Sequence, residues 1–184
     1  GCGGGGSSGS SSGGGGTLDT TGCAAASVAT GGSGLSFNHT GSANSHLAQS
    51  FQVTSTKSVT KIQVYLKREG TSTLVGNVYV TLAGDVGGSP NSNALVTSDT
   101  INASSISNTQ TGLYTFTVSS TTLNANTTYW VVLTGSYTGD ANNYVKWQGS
   151  GGDTYSLGEA KAKSSSTSTW SSQSDDLVFK IGCP

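Results

Sequence analysis

The chain has 184 residues and a mass of 18.4 kDa, the size of one domain, and 86 of those residues are Gly, Ser or Thr. Only 9% are charged, against roughly 25% in an average soluble domain, and eight Lys/Arg against nine Asp/Glu leave a net charge of −1. So few cations exclude a partner bound through its phosphate backbone or an anionic membrane surface, and no apolar run reaches the roughly 20 residues of a membrane span.

Residues 1–16 read GCGGGGSSGSSSGGGG, a linker composition without a side chain able to join a core. Ordering such a tract costs about 1–2 kcal/mol per residue in backbone entropy, so only backbone hydrogen bonds could hold it, and a neighbouring subunit offers the most backbone. The stretch 17–46 is weakly apolar. Its small residues around Cys23–Ala29 suit an extended segment in a narrow groove between sheets. Residues 1–44 are therefore expected as an extended N-terminal arm, and 45–184 as the folded domain.

Strand signals then become regular. Leu47–Thr54 is the first, followed by Val59–Lys67 with Ile62, Val64 and Leu66 on one face. Asn77–Ala83 repeats the pattern with Val78, Val80 and Leu82, and the breakers of Gly84–Asn91 predict a loop. Ala94–Ile101 carries a weaker strand signal. Leu113–Val118 alternates with Tyr114, Phe116 and Val118 together, while Thr128–Thr134 is apolar on both faces, as a central strand should be. Asn143–Gln148 and Asp176–Ile181 complete about eight strands. Spacing of this kind predicts an all-β fold, a two-sheet jelly-roll-like sandwich of antiparallel strands.

Three cysteines, Cys2, Cys23 and Cys183, lie towards the chain ends, with no metal-site spacing and no histidine near them. Cys23 and Cys183 flank the expected domain and suit a disulfide between first and last strands. Cys2 is then the odd thiol, a candidate for an intermolecular bond or for lipid attachment, since Gly1-Cys2 looks like the end of a lipobox. The sequons at Asn38, Asn102 and Asn126 are what a chain so rich in Ser and Thr carries by chance.

Several segments together resemble a known family. LAQSF at Leu47–Phe51, VTKIQVYLKREG, GNVYVTL, GGSP, LYTFTV, TTYWVVL at Thr127–Leu133, YVKW at Tyr144–Trp147 and DLVFKI are similar to the choice-of-anchor R domain of bacterial secreted and cell-surface proteins. The resemblance covers about residues 45–182. It implies a β-sandwich and a secreted or cell-surface location, and its motifs are strand residues and turn glycines that carry no catalytic role.

No motif for catalysis stands out. His39 and His46 lie in a polar segment expected to be loop, no G-x-S-x-G elbow is present, and Asp175 and Asp176 are adjacent strand residues that point to opposite faces. No catalytic residue, metal ligand or cofactor is expected, although Asp140 and Asn142 gather oxygen atoms of the kind that bind Ca²⁺. Aromatics after Thr134 stand among Asn, Asp and Gln, so Tyr144, Trp147 and Tyr155 are candidates to stack on a sugar; the other reading of the same residues is that Trp147 and Trp170 cap the sandwich core while the tyrosines pack at strand edges. Two functions follow. The first is a non-enzymatic subunit of an extracellular filament or surface assembly, joined to copies of itself through the arm. The alternative is a glycan-binding adhesion module of a cell-surface protein or phage fibre, with carbohydrate as partner.

Overall fold

A computed structural model describes residues 23–28, 31–165 and 167–182. Within them lie fourteen strands, a single 3-10 turn (Ala103–Ser105) and no α-helix. The first sheet contains β1 (Cys23–Ala26), β2 (Leu35–Phe37), β4 (Lys57–Glu69), β9 (Gly112–Leu123), β11 (Tyr144–Trp147) and β14 (Phe179–Gly182). The second contains β3 (His46–Gln52), β5 (Asn77–Val86), β6 (Ser89–Pro90), β7 (Val96–Thr97), β8 (Ile101–Asn102), β10 (Thr128–Gly135), β12 (Ala160–Lys163) and β13 (Ser171–Gln173). All pairings between these strands are antiparallel, and the two sheets form the expected sandwich.

Strand β4 organises the first sheet. Its 13 residues pair with β9 along one side, and along the other with β14 over Lys61–Val64 and with β11 over Leu66–Glu69. The second sheet runs β13-β12-β3-β10-β5, with the short strands β6, β7 and β8 beyond β5. Ile62, Val64, Leu66, Val78, Val80, Leu82, Phe116, Val131, Leu133 and Phe179 all lie on the expected apolar faces and are fully buried. Tyr137 joins the edge of the first sheet to its neighbour from inside the core: its hydroxyl donates to the Phe37 carbonyl of β2 and accepts the Val145 N–H of β11 at 3.1 Å. Burial pushes the Tyr137 hydroxyl pKa up, so it remains a donor.

Four expectations change. The sandwich takes in β1 and β2, from the stretch expected as arm, because β1 pairs with β14, β2 pairs with β11, and Phe37 is fully buried. The expected loop at Gly84–Asn91 is a tight hairpin, since Gly87 (φ 60°) and Gly88 (φ 84°) both supply the positive φ of a type I′ turn. Ala94–Ile101 shrinks to the two-residue strands β7 and β8 because the regular ladder to β5 is interrupted between them. There the Ser98 hydroxyl accepts the Val80 N–H at 3.0 Å, and the Asp99 carboxylate accepts the N–H of Thr117, in β9 of the first sheet, at 2.9 Å. Finally, β12 and β13 form from Ala, Lys and Ser, residues that carry little strand signal.

Cys23 opens β1 directly across from Gly182 of β14, so the first and last strands are neighbours as expected. Cys2, Cys183 and the Gly/Ser tract of residues 1–16 lie outside the described residues, and the expected Cys23–Cys183 bond with them.

Phe116 lies on the inner face of β9, so Phe116→Ala is expected to lower the unfolding free energy by about 3–5 kcal/mol, read from the midpoint of denaturant unfolding. An unchanged midpoint would place the core elsewhere.

Candidate ligand-binding groove

Trp147 lies wholly inside the core and its indole N–H donates to the Val178 carbonyl at 2.8 Å, so its ring presents no face to a sugar. Alternation along β11 requires this, because Val145 and Trp147 share the inward side. Tyr155 is half-buried, set edge-on against Phe179 with 5.3 Å between ring centres, and its hydroxyl bonds the Gln52 backbone. Burial raises its pKa. Tyr144 stands on the outer face of the first sheet and stacks on His39 at 4.0 Å between ring centres. The three candidates are therefore not brought together.

The two histidines are not loose loop residues. His39 bonds the Ser36 hydroxyl and the Thr40 carbonyl, both at 2.8 Å, beneath Tyr144. His46 is the first residue of β3, on the outer face of the other sheet. Asp140 closes its own turn: its carboxylate accepts the Asn142 N–H at 2.8 Å and the Asn143 amide at 2.9 Å. Among the described residues no three His, Cys, Asp or Glu side chains converge as metal ligands, and no helix is long and apolar enough to cross a membrane.

The outer face of the second sheet carries a groove of about 400 Å³. Its floor is the outward row of three adjacent strands: His46 of β3, Val132 and Thr134 of β10, Tyr79 and Thr81 of β5. One wall comes from Lys163 of β12 with Ser168 and Trp170, and the other from Pro90, Asn91, Ser92 and Ala94 after the β5–β6 hairpin. Trp170 is half-buried against a small apolar cluster of Ala48, Ala83, Trp130 and Val132.

A polar network fixes the hairpin wall. The Trp130 indole N–H donates to Asp85 Oδ1 at 2.8 Å, and Asp85 Oδ2 accepts the Gly88 N–H at 3.2 Å. Lys161 reaches the same turn, donating to the Gly88 carbonyl and to the Ser89 hydroxyl, with its ammonium 5.8 Å from the Trp130 ring centre and 3.6 Å from Glu159. Lys163, two residues on and on the same face, lies 4.8 Å from the centre of the Trp170 ring. Desolvation lowers the Lys163 pKa; His46 is lowered by its own burial and then by the Lys163 charge.

Asp175 and Asp176 precede β14, which starts at Phe179, and so are not the strand residues expected. Asp175 lines a shallow cleft with Ser33, Gln173 and Ser174, whereas Asp176 is buried, accepting the Gln49 amide at 3.0 Å and the Tyr155 N–H at 2.7 Å. Gln49 completes this clasp by accepting the Leu177 N–H at 2.7 Å. Asp176 is thus a tie between β3 and the approach to β14.

No protein-family model, curated protein or solved structure matches this chain.

Burial is the leading cause that raises the Asp176 pKa above that of an exposed Asp. The folded state then holds this proton more tightly than the unfolded chain, so the resulting stability is full below the unfolded value, near 3.9, and is lost as pH rises through the raised one. Wild type is expected to gain stability over Asp176→Asn as pH falls from 7 towards 4, measured by urea unfolding of both. A difference independent of pH would show that Asp176 titrates as a free carboxylate.

Proposed function

We propose that this chain is a non-catalytic carbohydrate-binding module that acts outside the cell, its ligand lying in the groove over β3, β10 and β5. The observation that carries this reading is the lining. Trp170 and Tyr79 share one open concavity with the hydroxyls of Thr81, Ser92 and Thr134 and the amide of Asn91. A saccharide is amphipathic in the matching way: its C–H faces pack on aromatic rings while its hydroxyls exchange hydrogen bonds with amides and hydroxyls. A volume of about 400 Å³ lies in the range of small-ligand sites. Glycoside hydrolysis uses two carboxylates flanking the scissile bond, and among the described residues none lines this groove, which favours binding without turnover. The charge-poor composition and the resemblance to surface modules support a secreted or cell-surface location.

A homopolymer joined through residues 1–16 is the second reading, and one observation favours it. Strand β1 is an edge of the first sheet, its outer side unpaired among the described residues, and the Gly/Ser tract lies before it in sequence with six residues between.

In affinity electrophoresis through gels containing a panel of polysaccharides, wild type is expected to be retarded by at least one. Trp170→Ala should weaken that retardation by about tenfold or more, equivalent to about 1.4 kcal/mol, with an unchanged circular dichroism spectrum. Retardation insensitive to Trp170 would move the site out of the groove. For the polymer reading, deleting residues 1–22 leaves β1 in place and is expected to convert fibres seen by negative-stain microscopy into monomers. Fibres formed by the truncated chain would remove the tract as connector.

A further inference from the structure

The two outward lysines of β12 differ in a way that bears on what the groove holds. Lys161 is committed: it has Glu159 at 3.6 Å, the Gly88 carbonyl and the Ser89 hydroxyl. Lys163 has no carboxylate and no hydrogen-bond acceptor for its ammonium among the described residues, only the face of Trp170 at 4.8 Å. His46 stands beside it, T-shaped to the same ring at 6.5 Å, with Nδ1 engaged by the Ser45 hydroxyl at 2.7 Å and Nε2 unpartnered among the described residues. Among the described residues no Asp or Glu lines the groove to neutralise this corner, since Glu159 faces Lys161 and Asp85 is held by Trp130 and Gly88. A partly desolvated ammonium without a counter-ion, set against an aromatic ring in a groove, is a site that a ligand's negative charge would complete.

We infer that the groove is selective for acidic saccharides, and that Lys163, with His46 beside it, receives the sugar carboxylate while Trp170 and Tyr79 hold the rings. This rests on the carbohydrate-binding reading and deepens it by naming the ligand class. The carboxylate accepts from Lys163 Nζ and, where His46 Nε2 carries a proton, from that nitrogen too. The cation above Trp170 also fixes the orientation of the ring against which the sugar packs.

The test uses the full chain and isothermal titration with oligosaccharides of galacturonate, glucuronate-containing hyaluronan and alginate. Each is paired with its carboxyl-reduced counterpart, which keeps the stereochemistry and loses the charge. At least one acidic oligosaccharide is expected to bind about tenfold or more tightly than its reduced form. Lys163→Gln should abolish that preference, and Lys163→Arg should retain it. Lys180→Gln makes the same charge change on the outer face of the other sheet and should leave the preference intact. A dextran sulfate arm separates carboxylate recognition from attraction to any polyanion. Equal binding of acid and reduced forms, or a preference that survives Lys163→Gln, overturns the acidic-sugar assignment and leaves the carbohydrate reading standing. Loss of the preference in Lys180→Gln, or dextran sulfate matching the best uronate, would assign the effect to diffuse charge and overturn it equally. Binding of no saccharide, acidic or reduced, overturns both.

Discussion

Strand β10 sets the problem that the rest of the molecule answers. Val131 and Leu133 face the core, and Trp130 and Val132 face the other way, so the strand is apolar on both sides while a sandwich covers only one. Leaving that second face wet would forfeit about 25 cal/mol for every Å² of apolar surface exposed. The chain covers much of it with what lies near: Trp170 from the β12–β13 side, the stem of Lys161, and the hairpin drawn down by Asp85. The groove is the part of this second face that the cover leaves open. Site and fold therefore share one cause, a central strand with a surplus of apolar residues.

Scarcity of charge makes the location of each charge more telling. On the outer face of the first sheet Lys67 and Lys146 are direct cross-strand partners, a repulsive arrangement, and Glu69 lies 3.3 Å from both. Near β12, Glu159 does the same for Lys161. These pairs are at least partly exposed and contribute little stability. Lys163 has no such carboxylate among the described residues and stands where aromatic rings and hydroxyls converge.

The inward halves of the strands were legible because alternation is a strong signal when one face is wholly apolar, as in Ile62-Val64-Leu66 and Val78-Val80-Leu82. The same rule buries Trp147 beside Val145, although the chemistry of an indole invited a surface role. What stayed hidden were the elements made of weak formers. Ala160–Lys163 is a strand because β3 offers it a partner and the core has room for Ala160 and Ala162, facts of tertiary structure that no local propensity encodes. With β12 unseen, Lys163 and Trp170 could not be placed on the face that bears His46, Tyr79 and Thr81. Tyr79 and Thr81 were readable as outward residues of their strand, whereas His46 stood one residue before the expected first strand, and which outward face is concave depends on where the hairpin and the β12–β13 pair fold back.

The pairing of β1 with β14 also decides how the domain meets mechanical load. The two strands are antiparallel, with Cys23 opposite Gly182, so the chain enters and leaves the first sheet at one corner. With Cys23 and Cys183 reduced, tension between those two points pulls the strands apart from that corner and breaks their backbone hydrogen bonds one after another, like a zip, rather than shearing them all at once. A four-residue strand opened in this way gives way at low force, so a module tethered through both flanks would yield first at β1. The second sheet, whose β3–β10–β5 layer forms the groove floor, lies outside that line of force and would keep its shape while the first sheet begins to open.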